Sequence, residues 1–180
     1  MLAKRLAPQK KITDGDFASW YKEWLYTAER IEKIAEQAKN NGHDVSAMEA
    51  FFRASSYYRS AGFYMDSTTN QAKSISSYRK SKESFLNAIS YLPYIKEVKI
   101  PYENTTLPGY LISTEKVNAP IVIVNTGFDG TAEELYFEVG VALHARGYHC
   151  LLVEGPGQGS VLREQHLPFR PDWENVMHPI

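Results

Sequence analysis

The chain has 180 residues, 43% of them hydrophobic, with 20 basic residues against 21 acidic, enough for one ordinary domain or a small domain with part of another. A net charge of −1 with interspersed signs offers no electrostatic footprint for nucleic acid or an anionic membrane surface. The lone Cys150 suits a reducing compartment, the basic start "MLAKRLAPQKK" has no apolar signal core, and no run approaches the ~20 apolar residues of a membrane span, so a cytosolic location is expected.

Residues 13 to 92 read as helices. Phe17, Trp20, Tyr21, Trp24, Leu25, Ala28, Ile31, Ala35 and Ala38 recur at the spacing that puts them on one side of a helix, and "NNGHD" at 40 to 44 stops it. Ser46 and Glu49 then have the spacing of a capping box, predicting a second helix that carries Met48, Phe51, Phe52, Tyr58 and Met65. A third, near 70 to 92, carries Ile75, Tyr78, Phe85, Leu86 and Ile89 and ends before Pro93. This aromatic stripe is expected to be core, with Tyr57, Tyr58 and Tyr64 as candidates to line a pocket if the helices form a cap.

After Pro93 the period changes. Val98, Ile100 and Tyr102 alternate with charged residues, "YENTTLPG" supplies a turn, and 95 to 113 reads as an antiparallel hairpin. "PIVIV" at 120 to 124 and "CLLV" at 150 to 153 are apolar without alternation, as expected of parallel strands covered on both faces. Thr131 and Glu134 form a capping box, the helix "EELYFEVGVALHAR" follows, and Gly147 closes it, which completes a βαβ unit. The loops "NTGFDGT" and "EGPGQGS" then stand at the carboxyl ends of neighbouring strands, where open α/β sheets bind ligands.

Gly155, Gly157 and Gly159 either let backbone approach a ligand or merely turn the chain. A dinucleotide fingerprint fails because Ser160 stands where a third glycine belongs and no helix is expected there before Pro168 and Pro171. Around the other loop, Asp129, Glu133 and Glu134 would repel an anion from the helix start. No P-loop, metal-type His/Glu spacing or Cys pair occurs, so neither cofactor nor metal is expected. Ser77 with Lys80 and Ser113 with Lys116 match S-x-x-K without its companion motifs and read as coincidence. Cys150 reads as inert core, His166 as the histidine nearest the site with an ordinary surface role, and Glu154 as an anchor for the following loop's amides rather than a base.

"APIVIVNTGFDGTAEELYF", followed after the helix by "GYHCLLVEGPGQGS", resembles the α/β-hydrolase superfamily. Within it the chain is similar to the branch with an N-terminal helical segment, which holds the acylaminoacyl-peptidase-like esterases, the fermentation-respiration switch protein and 2,6-dihydroxypseudooxynicotine hydrolase. The resemblance covers roughly residues 95 to 178 and the helices more weakly. It implies that "TGFDG" follows the third strand and gives the oxyanion hole a backbone amide, that of Phe128, with Gly127 permitting the turn and Asp129 as substitute donor. Gly127, Asp129, Gly157 and Gln158 would then lie against the substrate. A growing negative charge on a carbonyl oxygen needs such a fixed donor. The resemblance also implies a helix near "PDWENVM" with Pro171 in its first turn, then a G-x-S-x-G elbow and an Asp and a His; none of these three catalytic groups matches a position here, so they are expected beyond residue 180.

The expected architecture is α/β: a helical cap-like segment over 1–93, then the first strands of an incomplete α/β-hydrolase sheet over 94–180. The expected reaction of the parent is serine-nucleophile cleavage of an ester or amide in a small molecule or peptide, the 180-residue chain alone being inactive. Without a strand beside it, "PIVIV" is expected to be an apolar sheet edge that associates with another chain. The rival reading is a non-catalytic partner-binding module built on the aromatic helices, or a degenerate homologue.

Overall fold

The computed structural model describes residues 11–65 and 70–180, and the chain divides into two compact units between Tyr91 and Leu92. The first is helical: α1 Phe17–Asn40, α2 Asp44–Gly62 and α3 Gln71–Ile89. Asp16 starts α1, its Oδ1 accepting from Ala18 N (2.9 Å) and Ser19 N (3.2 Å). At the other end Gly42, at φ +71°, turns the chain so that His43 N reaches Ala38 O at 2.9 Å. That reversal begins α2 at Asp44, so the expected capping box at Ser46 and Glu49 is not the helix start; no side chain caps α2.

The packing between these helices is smaller-grained than the aromatic stripe suggests. Ala28 and Ala35 of α1, Ala47, Ala50, Ala54 and Ala61 of α2, and Ser74, Ser77, Ser81, Ser84 and Ala88 of α3 are buried, around the larger Phe51, Tyr58 and Phe85. Short side chains let the backbones approach, and Ser81 Oγ donates to Ser55 O at 2.9 Å. Phe17, expected on the apolar side of the first helix, and Tyr64, a candidate pocket residue, are exposed and stack on each other. Tyr58 is buried, its hydroxyl donating to Glu32 Oε2 at 2.6 Å, so it lines no open pocket. Ser77 is buried with its Cβ close to Gly62, while Lys80 pairs with Glu29 (3.2 Å), so this S-x-x-K match forms no catalytic dyad.

The second unit is a four-stranded mixed sheet in the order β1-β2-β4-β3: β1 Ile95–Tyr102, β2 Thr105–Ile112, β3 Ile121–Asn125 and β4 His149–Val153. β1 and β2 form the expected antiparallel hairpin, β2 runs antiparallel to β4, and β3 runs parallel to β4 with Val122 opposite Cys150 and Val124 opposite Leu152. Between β3 and β4 the chain is helical from Ala132 to Ala145 without a break, as α4 Ala132–Leu135, a π-helical turn Tyr136–Gly140, and α5 Val141–Ala145. The wider turn brings Gly140 onto the sheet; a Cβ there would stand 2.9 Å from Ile112 Cδ1 and 3.4 Å from Leu152 Cδ1. Gly147, at φ +81°, ends the helix as expected.

Two expectations fail here. β3 is not covered on both faces, since Ile121 is 51% and Ile123 39% exposed, although its place at one edge of the sheet is as expected. The helix expected at "PDWENVM" is a single turn, α7 Glu174–Met177, with Pro171 outside it, because Asp172 is held by Arg170 through two bonds of 2.7 and 2.6 Å. Arg170 also donates to Tyr102 Oη (2.6 Å) and Glu103 Oε1 (2.7 Å), pinning the segment before α7 to the hairpin. No helix of the described residues is long and apolar enough to cross a membrane.

The register depends on Gly109, where a Cβ would lie 2.4 Å from Leu152 O across the β2–β4 ladder. Gly109→Ala is expected to destabilise the sheet unit by about 1–3 kcal/mol, seen as a lower urea midpoint with an unchanged slope.

Candidate active site

The two loops at the carboxyl ends of β3 and β4 meet. Gly159 N donates to Gly130 O at 3.3 Å, and Gln158 Nε2 donates to Thr126 O while its Oε1 accepts from Gly155 N at 2.8 Å. Close contact dictates the small residues. A Cβ on Gly130 would lie 1.8 Å from Thr126 Oγ1, and one on Gly159 would lie 1.9 Å from Glu154 Oε1. Gly157 has φ +83° and packs against Phe169, whose ring stacks on Trp173. The glycines of "EGPGQGS" therefore serve tight turning and internal packing.

Glu154 is the hub of this arrangement. It ends β4, is 1% exposed, and its Oε1 accepts from Ala132 N (3.0 Å) at the start of α4. Its Oε2 accepts from Ser160 N and Ser160 Oγ, both at 2.8 Å. The anchoring role expected of Glu154 is thus met, and it extends to the neighbouring loop as well as its own. Ser160 lies in a helix that the sequence reading excluded, α6 Gly159–Arg163. Even so, no phosphate site results, because a buried carboxylate already occupies the amide at its N-terminus. At α4 the capping box is formed as expected: Thr131 Oγ1 accepts from Glu134 N (3.3 Å) and Glu134 Oε2 from Thr131 N (3.1 Å). The positive end of that helix is satisfied by the chain's own oxygens.

The residues predicted from the sequence separate into two layers. Gly127, Phe128 and Asp129 are exposed, Phe128 at 72% and with its ring 6.2 Å from that of Phe169. Among the described residues no acceptor meets the Phe128 N–H. Gly157 and Gln158 are buried behind them: Gly157 N donates to Leu167 O at 2.8 Å, and both ends of the Gln158 amide are bound within the chain. His166 is exposed in a left-handed conformation, φ +60°, and Cys150 is buried in β4, which pushes its thiol up to about 11. Sequence reasoning missed the Arg170 fork, since its partners Tyr102 and Glu103 lie about 67 residues away. It also missed the buried pair Tyr110 and Glu133, whose hydroxyl and Oε1 are 2.7 Å apart.

Replacing Glu154 by Gln would turn an acceptor into a donor against Ser160 N or Ala132 N. Glu154→Gln is expected to cost about 1–3 kcal/mol in chemical denaturation, because a buried amide loses its partner. Gly159→Ala, which drives a Cβ into the same carboxylate, is expected to cost at least as much.

The sequence matches the FrsA-like esterase family over residues 13–165. It is 37% identical over 178 residues to hydrolase LUC6 of Fusarium sp, covering 95% of this chain and 42% of that protein. To the α/β hydrolase xenA of Xenoacremonium sinensis it is 38% identical over 172 residues, covering 92% of this chain and 40% of that protein. The chain thus spans less than half the length of these relatives. The crystal structure of 2,6-dihydroxy-pseudo-oxynicotine hydrolase shares the fold, with a TM-score of 0.78 at 21% identity over 99% of this chain and 48% of that one. Helices followed by a mixed sheet with a βαβ unit, and a family match that runs through both units, make this chain a member of the FrsA-like esterases, with the fold of the N-terminal part of an α/β hydrolase.

Proposed function

We propose that this chain is the N-terminal part of a serine-nucleophile hydrolase that cleaves an ester or amide bond in a small molecule or peptide. The observation that carries this reading is the Phe128 amide: it lies in an exposed loop at the carboxyl end of β3, meets no acceptor among the described residues, and stands above a turn locked from behind by Glu154 and Gln158. A donor held in this way stabilises charge developing on a carbonyl oxygen without reorganising during the reaction. Gly127 and Asp129 share the exposed surface, whereas Gly157 and Gln158 support it from beneath. In this reading the nucleophilic serine, the acid and the histidine follow Ile180, and acyl transfer runs from substrate to that serine and then to water. The relatives named above as hydrolases support a hydrolytic reaction. The place of action we propose is the cytosol.

In a form extended to the length of the curated relatives, Phe128→Pro, which removes the amide, is expected to lower kcat by ~100- to 1000-fold with little change in KM. Phe128→Ala keeps the amide and is expected to retain most of kcat. A fluorophosphonate probe should label the extended form and leave the 180-residue chain unlabelled. Equal kcat in Phe128→Pro and Phe128→Ala contradicts the assignment of the amide; labelling of neither form favours a non-catalytic binding module.

We also propose that the outer edge of β3 pairs with a further strand, from the rest of a longer chain or from a second copy. Ile121 and Ile123 give that edge an apolar face, and an open apolar edge templates pairing. Size-exclusion chromatography of the 180-residue chain is expected to show species above the monomer that Ile123→Lys reduces. A cooperatively melting monomer of the unsubstituted chain contradicts this.

A further inference from the structure

Behind the oxyanion loop lies a second carboxyl group that the hydrolytic reading does not use. Glu133, in the first turn of α4, is 3% exposed. Its Oε1 accepts the Tyr110 hydroxyl from β2 at 2.7 Å, while its Oε2, also buried, has no hydrogen-bond partner. The groups acting on it are Glu154 at the end of β4, Tyr110 of β2, the Thr131 hydroxyl of the helix cap and the local backbone; no cation is among them. Glu154, by contrast, has both oxygens engaged by two backbone amides and a hydroxyl. Glu154 thus takes three donors, whereas Glu133 takes the Tyr110 hydroxyl on one oxygen and leaves the other bare. A second buried charge, on Glu133, would leave one oxygen desolvated and unpaired and would face the carboxylate that ties Ala132 to Ser160.

We infer that Glu133 and Glu154 hold a single negative charge between them, seated on Glu154, and that the proton retained by Glu133 makes the seating of the 126–131 loop depend on pH. Glu133 is a positioning residue in this account. Its loss of the proton sets like charge against the hub of both loops. Burial first, and then the Glu154 charge, push the Glu133 carboxyl up to about 7, against the opposing pull of the Tyr110 bond. Because the carboxyl is raised in the folded state, the stability it contributes is full below the ordinary carboxylate range and is lost as pH rises through about 7. The inference does not rest on the proposed reaction, and its test needs no substrate.

The test compares thermal melts of the whole 180-residue chain, Glu133→Gln and Tyr110→Phe at about pH 5 and about pH 9. The wild-type Tm is expected to fall by about 3 °C or more between them, and Glu133→Gln, which keeps the acceptor for Tyr110 but cannot ionise, should lose most of that fall. Tyr110→Phe should move the midpoint of the fall to higher pH, because the bond that favours the ionised form is gone. Infrared difference spectra between the same conditions read the proton directly: a protonated-carboxyl band that disappears with a midpoint near neutrality in the wild type, and at higher pH in Tyr110→Phe, is the expected result. A pH dependence shared unchanged by wild type and Glu133→Gln overturns the inference. So does the absence of a carboxyl band titrating near neutrality, which Tyr110→Phe would also reveal if Glu133→Gln fails to fold.

Discussion

One buried carboxylate organises the working end of the sheet. Glu154 accepts from the first amide of α4 and from the first turn of α6, and so fixes two loops that belong to different strands. Two of these bonds satisfy amides that a helix start would otherwise leave without a partner, and the third takes the Ser160 hydroxyl. Charge-assisted bonds of this kind are the strong ones, and they are made where solvent does not weaken them. Gly159 is small because this carboxylate needs the space, and Gly130 is small because the Thr126 side chain of its own loop stands where a Cβ would be. The exposed Phe128 turn is held by what lies under it.

The same geometry fills the places where a nucleotide fold would hold phosphate. Helix starts attract phosphate through unsatisfied amides and the helix dipole. Here Glu154, Thr131 and Glu134 fill those positions with the chain's own oxygens. Among the described residues the Phe128 amide of the loop between β3 and α4 meets no acceptor, and it is the donor that the proposed reaction would use for charge on a carbonyl oxygen. Family membership and the proposed role of this amide agree with each other, although they arise from different observations.

Much of this was legible in the sequence, for identifiable reasons. The hairpin, the parallel pair β3–β4, the Thr131–Glu134 capping box and the closing Gly147 all depend on contacts within a few residues or on simple apolar runs. The role of Glu154 as an anchor was also readable, because a carboxylate beside a glycine loop finds amides nearby. Other features depend on partners far apart in the chain. Arg170 reaches Tyr102, Glu133 reaches Tyr110, and a serine row of α3 is buried beside the expected Tyr78, Phe85 and Ile89. The false capping box at Ser46 shows the limit of a local motif: a turn at Gly42, four residues earlier, had already let the helix start at Asp44. Gly157 and Gln158 look like ligand contacts by position alone; only packing reveals that they face inward.

Amide hydrogen exchange, resolved at single residues, tests most directly the claim that Glu154 locks both loops. The account predicts that the Ala132 and Ser160 amides are strongly protected and exchange at similar rates, while the Phe128 amide of the same surface exchanges fast. Rapid exchange at Ala132 or Ser160, comparable with that of Phe128, would contradict it.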